Sequence, residues 1–151
     1  MEMADIRSLL PHAGPMVLLD RLVAADEESV TAEVMIRPDS LFCRADGVGA
    51  WVGIEYLAQA IGAYAGYRAR LRGEPIRLGF ILGTRRYQCN WPMFPVGSVL
   101  SIVATRVLEG ENGLSSFDCE IVDIGRGPVA TATLTVFQPP DVEEFLARSS
   151  S

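Results

Sequence analysis

The chain has 151 residues, of which 49% are hydrophobic and 21% charged, and its net charge is −6. This length and composition predict one globular domain over residues 1–151 with a buried core. The negative charge argues against general nucleic-acid binding, and because all 13 basic residues are arginine, a lysine Schiff base is excluded.

The cysteines and the hydropathy pattern limit further the classes of protein to which the chain could belong. Cys43, Cys89 and Cys119 form no CxxC pair, so neither a zinc site nor a disulfide framework is predicted, and reduced thiols fit a cytoplasmic protein. No secretory signal is recognisable at the N-terminus, and Glu55 and Gln59 interrupt the best candidate for a membrane span. We therefore expect a soluble cytoplasmic protein with no metal and no cofactor.

The first part of the chain predicts a hairpin. Residues 3–10 suggest a short helix, and the proline- and glycine-containing segment 11–15 suggests a turn. Two strand-like runs, 16–26 and 29–37, are separated by an acidic turn. The following segment, 38–49, has no sustained period and is expected to be a loop.

A long apolar helix is predicted from about Ala50 to Arg72, with Gly73 as its stop signal. Small residues recur along it, at positions 53, 58, 62, 63, 65 and 66. They would let a sheet wrap closely around the helix.

The rest of the sequence predicts four strands and a short closing helix over 141–149. The strands are expected at 78–90, 98–109, 114–123 and 128–138. A helix that is apolar on most of its surface must be covered on most sides. We therefore predict an α+β protein in which an antiparallel sheet of about five to six strands wraps around one long central helix. This arrangement resembles the hotdog fold, which usually dimerises by joining two sheets edge to edge.

Glu55 is the one charged residue in the apolar stretch 50–66. A carboxylate in apolar surroundings favours its protonated form, which would make it a usable proton donor near neutral pH. Gln59 lies four residues later on the same helix face, and Trp51 lies one turn earlier. The alternative is a glutamate at the helix start that faces solvent or satisfies free N–H groups.

Two segments resemble the β-hydroxyacyl-acyl-carrier-protein dehydratases. SLLPHAGPMVLLDRLV (8–23) is similar to their opening motif, and GIEYLAQAIGAYAG (53–66) is similar to their central helix. The resemblance is closest to the branch associated with aryl-polyene gene clusters, which 78–89 and 135–139 also fit. It implies a hydro-lyase of fatty-acid, polyene or polyketide-type biosynthesis that removes water from a 3-hydroxyacyl thioester on acyl carrier protein.

The resemblance also assigns roles to residues. Glu55 would protonate the departing hydroxyl, with Gln59 as its support, and a loop histidine would take the proton α to the thioester. Backbone N–H groups at the helix start would bind the thioester, and the residues concerned are Val48, Gly49, Trp51 and Val52. Gly49 would leave room for close approach.

The histidine is where the sequence departs from the family pattern. Its position, about fourteen residues before Glu55, is taken by Leu41. The only histidine is His12, in the N-terminal motif, where a turn residue bonded to backbone is the alternative to a base. Cys43 is a candidate nucleophile, with a small buried apolar residue as the alternative, and Asp46 is a candidate general base, with a turn residue as the alternative. Since hotdog active sites lie between subunits, we hypothesise a heterodimer in which a histidine-bearing paralogue complements Glu55, with a homodimer as the alternative.

Arginines are concentrated at the end of the predicted helix and in the strand that follows it. Six of them and one acid, Glu74, fall within residues 68–86. This basic segment predicts a docking surface for an acidic carrier protein, formed by Arg68, Arg72, Arg85 and Arg86. The alternative is a solvated helix end.

For the function of the protein as a whole, two alternatives to a dehydratase stay open, an acyl-thioesterase and a non-catalytic acyl-binding or scaffold subunit.

Overall fold

The computed structural model describes residues 17–74, 80–110 and 112–137. One long helix, α1 (Gly53–Leu71), follows a 3-10 turn over Ala50–Val52. The strands in chain order are β1 (Arg21–Ala25), β2 (Ser29–Met35), β3 (Cys43–Arg44), β4 (Gly47–Gly49), β5 (Phe80–Cys89), β6 (Met93–Pro95), β7 (Val99–Glu109), β8 (Leu114–Asp123) and β9 (Gly127–Phe137).

The strands form two antiparallel sheets. The larger has six strands in the order β1-β2-β7-β8-β9-β5, and the smaller has the order β3-β4-β6. Alternate residues of β2 and β7 are buried, which places one face of the large sheet against α1. The predicted α+β arrangement, with one antiparallel sheet around one long helix, is confirmed.

The core lies between α1 and this inner face. Nine residues of α1 are buried, among them Leu57 and Ala60, which are completely inaccessible to solvent. From the sheet, Val30, Ile102 and Leu134 are equally inaccessible. Burial on this scale fixes the helix, and therefore fixes Glu55 in its first turn.

The β1–β2 hairpin is held by its acidic turn. Asp26 accepts hydrogen bonds from the backbone N–H groups of Glu28 and Ser29, both at 2.8 Å. These two bonds favour the ionised carboxylate and hold the pKa of Asp26 below its ordinary value. The predicted hairpin is therefore present, although β1 begins only at Arg21.

Three short strands were missed by the sequence prediction. β3 and β4 lie in the segment 38–49, which was expected to be a loop, and β6 lies in the connector after β5. Strands of two or three residues are too short to show a period of two. The expected helices at 3–10 and 141–149 and the turn at 11–15 lie outside the described residues.

Candidate active site at the start of the helix

Glu55 is half-buried in the first turn of α1 and is held by Gln59, one turn later. The Gln59 Nε2 donates to Glu55 Oε1 at 3.1 Å. Gln59 is only 1% exposed, and its Oε1 accepts the backbone N–H of Leu18 at 2.8 Å. Because Oε1 is committed to that N–H, the amide nitrogen must face Glu55. The structure thus brings the predicted acid and its predicted support together and fixes the orientation of the carboxylate.

The 3-10 turn before α1 is held by hydrogen bonds to both backbone polar groups of Ala50. Its N–H donates to the carbonyl of Pro92 at 3.1 Å, and its carbonyl accepts from the Tyr87 hydroxyl at 2.5 Å. The Ala50 N–H is therefore already used within the chain. In this 3-10 turn each N–H from Val52 onward bonds to the carbonyl three residues earlier, so the Val52 N–H is used by Gly49 and Trp51 presents the donor at this end.

The predicted substrate-binding residues divide into backbone and side-chain contributors. Val48 and Val52 are both completely buried in the core, so only their backbone groups can face a ligand. The Trp51 side chain is 66% exposed. Its indole lies against Gly49, where an added Cβ would be 2.6 Å from Nε1. The space beside Gly49, predicted for the close approach of substrate, is thus filled by the Trp51 ring in this chain.

An apolar patch surrounds this end of the helix. The rings of Phe42 and Trp51 meet edge to face, with centroids 5.3 Å apart. Leu41 precedes Phe42, and these two side chains are 40% and 43% exposed. Phe42 has a φ of 69°, a left-handed conformation that bulky residues rarely adopt. We call Leu41, Phe42 and Trp51 the aromatic patch.

The structure describes two of the three further catalytic candidates, Cys43 and Asp46. His12 lies outside the described residues, which contain no histidine of their own. Cys43 packs against the hydrophobic core as a half-buried residue, in keeping with its apolar alternative. Asp46 is exposed in the β3–β4 turn, where its carbonyl accepts the Val96 N–H at 2.9 Å.

The predicted docking arginines differ in their exposure to solvent and in whether another side chain of this chain engages their charge. The Arg68 side chain is 20% exposed, lies over the Tyr64 ring at 5.6 Å and reaches Glu109 at 4.0 Å. Its charge is therefore engaged within the chain. Arg72 is exposed at the end of α1, and Arg86 is exposed on β5. Arg86 has a φ of 58° at the irregularity between Arg85 and Gln88, and such bulges redirect side chains.

The described part of the chain contains no group of three or more histidine, cysteine or acidic side chains that could hold a metal ion. None of its helices is long and apolar enough to cross a membrane.

Tyr87 was not predicted from the sequence to belong to this site. A tyrosine in a strand is ordinary, and the 37 residues between Ala50 and Tyr87 hide their contact. The one available signal was Gly53, which was among the small residues expected to admit the sheet.

Solved structures define the class of the fold. A hypothetical thioesterase with coenzyme A from Streptococcus pneumoniae TIGR4 matches with a TM-score of 0.62 and 15% identity, over 78% of this chain and 84% of that chain. The PaaI protein of the phenylacetic acid degradation operon of E. coli matches with a TM-score of 0.59 and 14% identity, over 78% and 77%. At these identities the likeness shows the fold alone, and it confirms the hotdog prediction.

The family is defined by two stronger matches. The model of the ApeP-like family, described as ApeP dehydratase, matches residues 4–147. A chain of the dehydratase heterocomplex ApeI:P from Xenorhabdus doucetiae matches with a TM-score of 0.88 and 33% identity, over 97% of both chains. Comparison with curated proteins gave no match. The chain belongs to the ApeP-like dehydratases, the aryl-polyene branch of the hotdog dehydratases, and the predicted hydro-lyase class is confirmed.

Proposed function

We propose that this chain is the acid-bearing subunit of a dehydratase heterodimer that acts in the cytoplasm on a 3-hydroxyacyl chain attached to acyl carrier protein. The observation that carries the proposal is a carboxylate that the chain orients, in a described part of the chain that offers it no histidine. Glu55 is oriented by Gln59, whereas the described residues contain no histidine. The similarity to a dehydratase heterocomplex supports a partner subunit as the source of the base.

The chemistry assigned to this half-site is the departure of the hydroxyl. A histidine of the partner takes the proton from the carbon α to the thioester, and the electron pair of that C–H bond forms the double bond. Glu55, as the carboxylic acid, gives its proton to the β-hydroxyl, whose C–O bond breaks to release water. Charge that develops on the thioester oxygen is stabilised by the N–H group of Trp51.

Coexpression with histidine-bearing hotdog proteins from the same organism tests this function. We expect one of them to copurify with the chain and the complex to convert 3-hydroxyacyl carrier protein into enoyl carrier protein. The separate chains should each be inactive. Failure of every candidate to copurify and dehydrate would contradict the proposal, and release of free thiol without an enoyl product would identify a thioesterase.

The aromatic patch is proposed to be covered by the partner, since it adjoins Glu55 and is largely exposed in this chain alone. The chain has two tryptophans, so Trp91→Phe leaves Trp51 as the only one. We expect the emission of this variant to shift to shorter wavelength when the complex forms, because the indole leaves water. In the matched variant Trp51→Phe the remaining Trp91, which lies under Arg126 at 5.2 Å, should not shift. Complex formation without a shift in Trp91→Phe would place the interface elsewhere.

The carrier protein is proposed to dock at the exposed arginines, Arg72 and Arg86, together with Arg85, which pairs with Thr133 in the β5–β9 ladder. Arg68 is left out of the surface because its charge is engaged by Glu109. Replacing Arg72 and Arg86 by Glu should raise KM for carrier-bound substrate about tenfold, or roughly 1.4 kcal/mol.

Two comparisons make this docking test specific. The same double variant should leave KM for a small thioester mimic unchanged, since the mimic has no acidic protein attached. Arg21→Glu reverses one exposed charge on β1, where the side chain is 61% accessible and pairs with Glu33, and as the control for charge reversal outside the docking surface it should change neither KM. Equal effects on carrier-bound and small substrates would count against docking at this surface.

A further inference from the structure

The turn that begins α1 has little rigidity of its own. Ala50–Val52 is a single 3-10 turn whose N-cap, Gly49, makes no side-chain capping hydrogen bond. Glycines lie directly before and after it, at 49 and 53, and glycine has more backbone freedom than any other residue. Its internal restraint is the i→i+3 bonding of one turn, such as that from the Gly53 N–H to the Ala50 carbonyl, so contacts from outside the helix add to how firmly it is held.

Those outside contacts come from the strand that crosses the helix start. Tyr87, on β5, donates its hydroxyl to the Ala50 carbonyl at 2.5 Å. Pro92, which follows β5, accepts the Ala50 N–H at 3.1 Å. Both polar groups of Ala50 are therefore bound to the β5–β6 segment, and neither of the two peptide groups that flank its Cα can rotate without breaking a bond.

Gly53 makes the tyrosine contact possible. A Cβ at this position would overlap the Tyr87 hydroxyl and would lie 3.0 Å from Ile121 Cδ1. Burial raises the pKa of Tyr87, so its hydroxyl keeps the proton that it must donate. The Tyr87 hydroxyl therefore occupies the space that a side chain at position 53 would need.

We propose that Tyr87 is a positioning residue for dehydration, which acts by fixing the direction of the Trp51 N–H through the Ala50 carbonyl of the same peptide group. This inference rests on the proposed function, in which that N–H stabilises the thioester oxygen. Donors of this kind contribute only when they are already aimed at the atom where charge develops. Release of the turn would let the Trp51 N–H point elsewhere without removing it.

Tyr87→Phe tests the inference in the assembled dehydratase complex. The variant loses one hydroxyl and retains the ring, so we expect substrate binding to persist and kcat to fall about 10- to 100-fold with KM within twofold of wild type. Rates are compared at a temperature at which circular dichroism shows every variant folded.

Tyr64→Phe is the matched control because it removes the same kind of hydrogen bond from the C-terminal half of the helix, together with the bond that Arg68 Nη1 donates to this hydroxyl at 3.3 Å. The Tyr64 hydroxyl donates to the Glu27 carbonyl, also at 2.5 Å. The two variants should lower Tm by similar amounts, whereas only Tyr87→Phe should lower kcat. An equal effect of both variants on kcat, or no effect of Tyr87→Phe, would overturn the positioning role.

A third variant, Glu55→Gln, separates this inference from the proposed function. If Glu55→Gln is inactive while Tyr87→Phe matches wild type, the function stands and only the role of Tyr87 is wrong. If Glu55→Gln is as active as wild type, the proposed function is wrong and the positioning role falls with it. Loss of kcat in both variants, with Tyr64→Phe active, supports both.

Discussion

Replacement of Glu55 by Gln is expected to lower the rate of dehydration by about 10²- to 10⁴-fold, the range that general acid catalysis contributes. The amide has the shape of the carboxyl group but cannot give a proton to the leaving hydroxyl. Its oxygen can still accept from Gln59 Nε2, the bond that is 3.1 Å long in the native chain, so the local structure should persist. The measurement is kcat of the assembled complex with 3-hydroxyacyl carrier protein.

Assembly and a second carboxylate provide the controls for this result. Glu55→Gln should copurify with the partner as the native chain does, because Glu55 is expected to act on substrate and not to hold the subunits together. Glu33→Gln removes the charge of a carboxylate that pairs with Arg21 at 3.2 Å on another part of the surface, and should keep full activity. Full activity of Glu55→Gln with assembly intact would favour a non-catalytic acyl-binding or scaffold subunit.

The sequence predicted only those contacts of the site that join residues close together in the chain. Glu55 and Gln59 are four residues apart on one helix, so a helix prediction was enough to place them side by side. The Leu18 N–H that completes their arrangement is 41 residues from Gln59, and no periodicity connects them. The elements themselves were predictable because the helix and the longer strands bury regular sets of apolar residues.

Ion pairs between residues far apart in the sequence could not be predicted either. Arg68 was grouped with its neighbours as a docking residue because the sequence shows only the excess of arginine nearby. Its carboxylate partner, Glu109, lies at the end of β7 and reaches it only when the sheet wraps around the helix. The left-handed backbone of Phe42 and Arg86 was likewise unpredictable, since neither residue type favours it and the surrounding structure imposes it.

Gly53→Ala is expected to destabilise the chain, although the helix alone would favour alanine by about 1 kcal/mol. Gly53 has ordinary right-handed helical angles, so the backbone gives no reason to avoid a side chain there. The added methyl group would overlap the Tyr87 hydroxyl and approach Ile121 Cδ1 to 3.0 Å. Overpacking of this kind costs about 1–3 kcal/mol. Loss of the Tyr87 hydrogen bond adds roughly 1 kcal/mol. The free energy of unfolding should therefore fall by about 1–3 kcal/mol, measured from urea denaturation.

The double variant Gly53→Ala/Tyr87→Phe tests whether the hydroxyl is the obstacle. Removal of that oxygen opens the space into which the new methyl group projects, so the two losses should be less than additive, as expected for residues in contact. Some cost should remain because Ile121 Cδ1 and Phe94 Cζ, at 3.0 and 3.2 Å from the added Cβ, are unchanged. Strict additivity, or a Gly53→Ala single variant more stable than the native chain, would mean that the helix start can move away from β5. Tyr87 could not then hold the turn in place.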